Sequence, residues 1–163
     1  MHVVGGLDFE SWYRREHPRL LASIVLVSGQ PDLAREAVDE ALVRALERWD
    51  RVSAMASPGG WTYRVALNCL RRRTRRAAME RRLLRRGVRE RSLAPPAGEA
   101  WEVVRSLPPR QRAVVVLRYV ADLSQSEIAE VLGVTRSTVS STLTAAHRAL
   151  APMLDDQQED VLS

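Results

Sequence analysis

The sequence predicts an all-α protein of two small helical domains joined by a flexible linker, the second a four-helix domain with a helix-turn-helix. Apolar residues recur at helical spacing along most of the chain, and Pro- and Gly-rich segments separate these runs. The 163 residues leave room for one ordinary domain or two small ones. We therefore expect two thin helical cores rather than a large multi-domain enzyme.

The first domain is expected over residues 1–90. Its first helix begins near Phe9, and Pro18 should kink or restart it. Asp32 can cap a second helix, because its carboxylate can accept from a free backbone N–H of the first turn. The apolar stripe of that second helix contains Ala34, Ala37, Val38, Ala41, Leu42, Ala45, Leu46 and Trp49.

A loop with one proline and two glycines is predicted over residues 53–60, and a third apolar stretch runs from Trp61 to Leu70. An arginine block follows, which we define as residues 71–91. All 25 basic residues of the chain are arginine, and its formal net charge is +5. The block holds eleven arginines against Glu80 and Glu90, a net charge of +9, so the remaining residues carry −4. This local charge favours a polyanionic partner, and nucleic acid fits better than a membrane because no strong aromatic face accompanies the block.

The absence of lysine has two interpretations. Arginine offers a planar fork that can bind phosphate or guanine with two hydrogen bonds. GC-rich codon usage would produce the same composition. The sequence alone leaves both open.

A linker is expected over residues 91–98, which contain two prolines and a glycine. The second domain is expected over residues 99–154, with one short helix before Pro108-Pro109 and one after it. The acidic segment 155–163 is expected to be a frayed, solvated tail.

The second domain contains the pattern of a helix-turn-helix. Ser124 and Glu127 can form a capping box before a short helix, and Gly133 suits the positive φ required just after it. Ala129 is small enough to let the next helix approach, and Thr135 can cap that helix. The inner stripe of the second helix of the motif contains Val139, Leu143, Ala146 and Leu150. Its outer face carries short polar side chains that could read bases in a major groove.

Cysteine and histidine usage limits the other possibilities. Cys69 is the one cysteine and cannot form an internal disulfide, and the sequence contains neither a leader pattern nor an apolar run of about 20 residues. We therefore expect a cytoplasmic protein that does not enter a membrane. His2, His17 and His147 lack the spacing of metal ligands, so no metal and no cofactor are expected.

Over almost the whole chain these residues resemble a bacterial extracytoplasmic-function sigma factor of the sigma-70 superfamily. The pattern of the first half is Phe9-x-x-Trp12-Tyr13-x-x-x-x-Pro18-x-Leu20, then Ala34 to Trp49, then Trp61-x-Tyr63-Arg64-x-Ala66-x-Asn68 and the arginine block. The pattern of the second half is more specific for this family, because generic helix-turn-helix proteins lack the segment that precedes its helix-turn-helix. It reads Leu107-Pro108-Pro109-Arg110-Gln111-Arg112, Leu117-Arg118-Tyr119, and Leu123-Ser124 to Val139.

The resemblance implies a promoter-melting domain followed by a domain that reads an upstream promoter element, both docked on core RNA polymerase. The loop and the start of the next helix would capture an unstacked base of the minus-ten element, and the arginines would hold the adjoining duplex. The residues implied on the minus-ten side are Ser53, Ser57, Trp61, Asn68, Arg71, Arg72, Arg73 and Arg75. Trp61 and Asn68 are equally compatible with a packing role, whereas Tyr119 is expected in the core.

The same resemblance assigns two more surfaces. The minus-thirty-five element would contact Arg136, Ser137, Thr138, Ser140, Ser141, Thr144 and Arg148. The polar face of the second helix would contact the polymerase through Arg35, Glu36, Asp39, Glu40 and Arg44. The implied partners are core RNA polymerase and promoter DNA, with an anti-sigma factor as a further candidate and no small-molecule substrate.

Two other function classes compete with this interpretation. A stand-alone helix-turn-helix regulator would bind duplex DNA as a dimer, but the arginine block and the Gly-Pro loop have no role in dimerisation. A nuclease would need clustered carboxylates or a histidine and metal site near the arginine block, and the sequence shows neither. We therefore expect a chain that is not an enzyme.

Overall fold

The computed structural model describes residues 7–84 and 96–161, with side chains as far as Met153. Within these ranges the chain is helical and contains no strand. The helices are α1 (Phe9–Ser28), α2 (Pro31–Glu47), α3 (Trp49–Val52), α4 (Pro58–Leu83), α5 (Glu99–Arg105), α6 (Pro109–Tyr119), α7 (Gln125–Leu132) and α8 (Arg136–Val161). Helices α1–α4 form the first domain and α5–α8 the second, which confirms the predicted fold class. Residues 85–91 of the arginine block and residues 91–95 of the predicted linker lie outside the described residues.

Helix α1 is continuous through Pro18, so the helix does not restart there. Asp8 caps its start, where the carboxylate accepts a hydrogen bond from the Ser11 backbone N–H at 3.0 Å. Pro18 and Arg14 both lie on the exposed side. The Arg14 carbonyl that loses its intrahelical partner to the proline can therefore bind water, and the helix continues.

Helix α2 begins at Pro31, after Gln30, so Asp32 lies in the first turn and does not cap the helix. Proline suits the first helical position because the N–H that it lacks would have no partner there. The predicted stripe is buried from Ala34 to Ala45. Leu46 is the exception and is 55% exposed, because one step along a helix turns the side chain about 100° away from its neighbour.

The predicted loop over residues 53–60 is shorter than expected, because α4 begins at Pro58. Ser57 caps this helix by accepting a hydrogen bond from the Gly60 backbone N–H at 3.0 Å. A Cβ added at Gly60 would lie 2.8 Å from the Ser57 Oγ, so the close cap requires glycine there. The two glycines therefore belong to the first turn of α4 rather than to the loop.

Helix α4 has a buried first half and an exposed second half. The residues that it buries are Gly60, Thr62, Tyr63, Ala66, Leu67, Cys69 and Leu70. Burial raises the pKa of Tyr63 to about 12, and the Tyr63 hydroxyl lies 3.5 Å from the Ser23 hydroxyl of α1. The first half thus fixes α4 against α1 and α2, and the second half presents arginines to solvent.

The second domain follows the predicted pattern closely. Ser124 and Glu127 form the capping box of α7, and Gly133 follows it with φ +66°. Thr135 accepts a hydrogen bond from the Thr138 backbone N–H at 3.1 Å and so caps α8. The stripe predicted for α8 is buried, from Val139 to Leu150. The backbone of α8 stays helical to Val161, so residues 155–161 do not form the frayed tail that we expected.

The two domains pack against each other, and their buried residues form one continuous core. At one contact Trp101 of α5 covers Gly29, which ends α1 with φ +65°. A Cβ added at Gly29 would lie 2.6 Å from Cη2 of Trp101. Glycine is therefore required there both by its backbone conformation and by this neighbour.

Gly29→Ala should destabilise the chain more than Gly133→Ala. Both alanines would carry left-handed strain of about 1–2 kcal/mol, but nothing lies within 4 Å of a Cβ at Gly133. Urea unfolding of both variants measures the difference. In a Trp101→Ala background the cost of Gly29→Ala should fall to that of Gly133→Ala, and a difference that persists there would contradict the contact.

Candidate nucleic-acid interface

An exposed row of polar and basic side chains runs along α4. Arg64, Asn68, Arg71 and Arg75 are spaced by three or four residues and therefore share one face of the helix. We call this row the α4 stripe. None of its three arginines forms an ion pair with any residue in the described ranges, and Arg71 lies 3.5 Å from the Asn68 amide oxygen. Exposed guanidinium groups without acidic partners are suited to binding phosphate oxygens.

The sequence predicted three members of the α4 stripe and missed Arg64. Arg64 lies in the apolar stretch from Trp61 to Leu70, where we gave it no role. Its spacing of four residues from Asn68 and seven from Arg71 was the available signal.

Arg72 and Arg73 lie on another side of α4 and contact α2. Glu40 accepts a hydrogen bond from Arg72 at 2.6 Å through Oε1 and one from Arg73 at 2.9 Å through Oε2. Arg73 also donates to Glu36 at 2.8 Å, and Arg44 donates to Glu40 Oε1 at 2.7 Å. We call these five residues the Glu40 network. It joins residues that the sequence assigned to two different partners, DNA and polymerase.

The loop before α4 borders a cavity of about 350 Å³ at the contact between the domains. The walls of the cavity come from the loop, from the first turns of α4 and from α7. They contain Met55, Ala56, Ser57, Gly60, Trp61, Arg64, Glu127, Glu130 and Val131. The structure therefore brings Ser57 and Trp61 together at one cavity, whereas Ser53 lies at the end of α3 and is absent from that lining.

One carboxylate joins the starts of two helices from different domains. The Ser57 hydroxyl donates to Glu127 Oε1 at 2.7 Å, while the Ser124 backbone N–H donates to Glu127 Oε2 at 2.8 Å. Desolvation raises the pKa of Glu127, but the hydrogen bonds from Ser124 and Ser57 outweigh it and leave the pKa below its usual value. Glu127 is therefore ionised at neutral pH and holds the loop against α7.

The outer face of α8 is exposed as predicted. The exposed residues are Arg136, Ser137, Ser140, Ser141, Thr144 and Arg148, and Thr138 is half-buried. The hydroxyl of Ser141 donates to the Thr138 carbonyl, and that of Thr144 donates to the Ser140 carbonyl. These two hydroxyls can still accept hydrogen bonds.

The polar face of α2 divides into two flanks. Glu36, Glu40 and Arg44 belong to the Glu40 network, whereas Arg35 and Asp39 are exposed without ion pairs in the described ranges. Val43 and Leu46 are each 55% exposed and share a face with Asp39. We call Asp39, Val43 and Leu46 the α2 docking stripe. The sequence missed Val43, and it placed Leu46 in the core.

Other candidate features are less informative. Tyr119 is 60% exposed, so its expected core position is wrong, and its hydroxyl lies 2.8 Å from His147 Nε2. Across the described parts of the chain, no group of three His, Cys, Asp or Glu residues could hold a metal ion. No helix in those parts is long and apolar enough to cross a membrane.

Comparisons with known proteins identify both domains. Residues 12–80 match the Sigma-70 region 2 family, and residues 97–150 match the Sigma-70, region 4 family. The chain is 31% identical over 160 residues to the RNA polymerase sigma-E factor of Streptomyces coelicolor, which covers 92% of this chain and 86% of that protein. It is 32% identical over 155 residues to the RNA polymerase sigma-E factor of Streptomyces avermitilis, covering 92% and 85%.

Two solved structures have a similar fold. One is the sigma factor RpoE in complex with the anti-sigma factor NepR from Bartonella quintana, with a TM-score of 0.75, 20% identity and coverage of 91% of this chain and 97% of that chain. The other is CnrH in complex with the cytosolic domain of CnrY, with a TM-score of 0.61, 24% identity and coverage of 91% and 88%. At these identities the likeness concerns the fold alone. The family matches over both domains and the sequence relatives show that this chain belongs to the sigma-70 family of RNA polymerase sigma factors, as an extracytoplasmic-function member.

Proposed function

We propose that this chain is a dissociable initiation subunit that binds core RNA polymerase, directs it to promoter DNA and helps to open the duplex. One observation carries the proposal: a single chain combines a region 2 match that contains the α4 stripe with a region 4 match that contains the helix-turn-helix. The subunit itself catalyses no covalent step and uses no cofactor. Because bacterial RNA polymerase works in the cytoplasm, the proposal also places the chain there.

On the minus-ten side, the loop and the α4 stripe have different tasks. Unstacking a base costs a few kcal/mol, and a cavity that holds the flipped base can offset this cost. The wall of the cavity that the first domain supplies, with Ser57 and Trp61, supports this role, since it adjoins the first residue of the α4 stripe, Arg64. The arginines of the stripe bind phosphates and position the duplex without specifying its sequence.

On the minus-thirty-five side, α8 is the helix that enters the major groove. The exposed side chains between Arg136 and Thr144 face outward, and those with short hydroxyl groups allow the backbone of the helix to approach base edges. Arg148 lies about one turn beyond Thr144 and is placed to contact a phosphate at the rim of the groove.

The polymerase contact is best supported by the α2 docking stripe. An exposed apolar pair beside a carboxylate offers a partner both apolar area that contact would bury and a charge. Val43 and Leu46 supply that pair, and Asp39 adds a charge that can select a basic partner surface.

The comparisons and the site bear on one further partner and on one other function class. The two solved structures of similar fold are complexes with another protein, and in one of them that protein is an anti-sigma factor, so an anti-sigma factor is a candidate partner of this chain. A stand-alone helix-turn-helix regulator is not favoured, because it leaves the region 2 match over residues 12–80 without a role.

Purified chain added to core polymerase and promoter-bearing DNA should produce site-specific run-off transcripts. The reason is that core polymerase alone lacks promoter specificity, which this subunit would supply. Core polymerase without the chain is the control. If the mixture gives no transcripts on any promoter of a genomic library while the chain binds DNA by itself, the regulator interpretation would replace this one.

Replacing Ala54, Met55 and Ala56 should change the base preference of the minus-ten element. These three residues belong to the loop but neither cap α4 nor pack in the core, so the change alters the cavity wall with little effect on stability. Run-off transcription from a library randomised at the minus-ten element measures the preference. An unchanged preference would show that the base-capture site lies elsewhere.

Val43→Asp together with Leu46→Asp should weaken binding to core polymerase by at least about tenfold, because about 1.4 kcal/mol of lost apolar contact suffices for that. Surface substitutions of this kind change stability by about 0.5 kcal/mol or less. Titration of labelled chain with core polymerase measures the affinity. Met79→Asp, at an apolar site 64% exposed on α4, is the matched control and should bind core normally. Equal affinities for the two proteins would contradict the assignment of α2.

A further inference from the structure

Glu40 occupies an unusual position between two surfaces with different proposed partners. Its two carboxylate oxygens receive guanidinium groups from Arg44 of its own helix and from Arg72 and Arg73 of α4, at 2.7, 2.6 and 2.9 Å. The Glu40 side chain is only 23% exposed. Desolvation raises the pKa of Glu40, but the hydrogen bonds from Arg72 and Arg73 outweigh it, so the carboxylate is ionised at neutral pH.

The Glu40 network separates two arginines of α4 from the arginines of the α4 stripe. Arg71 and Arg75 belong to the α4 stripe and have no acidic partner in the described ranges. Arg72 and Arg73 have acidic partners, and Arg73 contacts Glu36 as well as Glu40. A guanidinium that is paired with a carboxylate gains less from a phosphate, because the first pair must break before the second forms.

We propose that Glu40 is a positioning residue that restrains Arg72 and Arg73 against α2 in the free chain, so that Glu40 and DNA phosphates compete for the same two guanidinium groups. The inference rests on one part of the proposed function, namely that α4 binds the DNA backbone. In the free chain α4 therefore offers DNA the arginines of the α4 stripe rather than Arg72 and Arg73. A basic polymerase group that paired with Glu40 would release Arg72 and Arg73, and by linkage DNA would strengthen that polymerase contact equally.

The test compares the salt dependence of DNA binding by the full chain and by Glu40→Gln. A labelled random-sequence duplex is titrated at several salt concentrations, and the logarithm of the association constant is plotted against the logarithm of the salt concentration. Each additional phosphate contact makes the slope more negative by about 0.9. We expect a change of up to about 1.8 for Glu40→Gln, which corresponds to two released arginines.

Two further variants make the test specific. Glu10→Gln removes one carboxylate whose ion pair is with Arg14 on the surface of α1, and it should leave the slope unchanged. Glu40→Gln combined with Arg72→Ala and Arg73→Ala should lose the added slope. Equal slopes for Glu40→Gln and the parent chain, or an added slope that persists in the triple variant, would overturn the inference.

A variant that fails to fold does not end the test. In that case Arg72→Ala combined with Arg73→Ala is compared with Arg71→Ala combined with Arg75→Ala. The first double variant removes arginines that already have acidic partners and should leave the slope almost unchanged, whereas the second removes arginines of the α4 stripe and should make the slope less negative by about 1.8. An equal loss of slope in the two double variants would overturn the inference. The proposed function is tested by a separate measurement, because it fails if no run-off transcripts appear. That result does not affect the comparison of slopes.

Discussion

The packing of α4 against α2 is the contact on which the rest of the structure depends. Alanines at 34, 37, 41 and 45 of α2 are fully buried, and such small side chains let two helices approach closely. This contact holds the buried first half of α4, and the exposed second half continues from it in the same helix. The positions of the loop, of the α4 stripe and of the Glu40 network all follow from how that one helix is seated.

Features encoded within one or two helical turns could be predicted from the sequence. Ser124, Glu127 and Gly133 define the ends of α7 through contacts with residues three or four positions away, and the structure confirms each of them. The outer face of α8 was predictable for the same reason, since the buried stripe of a helix determines its opposite side. Helix α1 continues through Pro18, and Leu46 is exposed, because solvent exposure rather than local pattern decided the outcome at both positions.

The relations between helices could not be predicted in this way. Glu40 and Arg72 are 32 residues apart, and nothing in either helix indicates that the two meet. Both were correctly expected on polar surfaces, but a polar face can meet solvent, a partner or another helix of the same chain. The assignment of Glu36, Glu40 and Arg44 to the polymerase and of Arg72 and Arg73 to DNA treated as separate what the fold joins by ion pairs.

The hydrogen bond between Ser57 and Glu127 has a consequence for how the chain can work on a promoter. The minus-ten and minus-thirty-five elements are about 25 base pairs apart, which is about 85 Å of duplex at about 3.4 Å per base pair. Ser57 belongs to the proposed reader of the minus-ten element. It contacts Glu127 of α7, the first helix of the helix-turn-helix that is proposed to read the minus-thirty-five element. Two readers in direct contact cannot hold sites that far apart, so under the proposed assignment the Ser57–Glu127 bond must open and the two domains must separate before both elements are held.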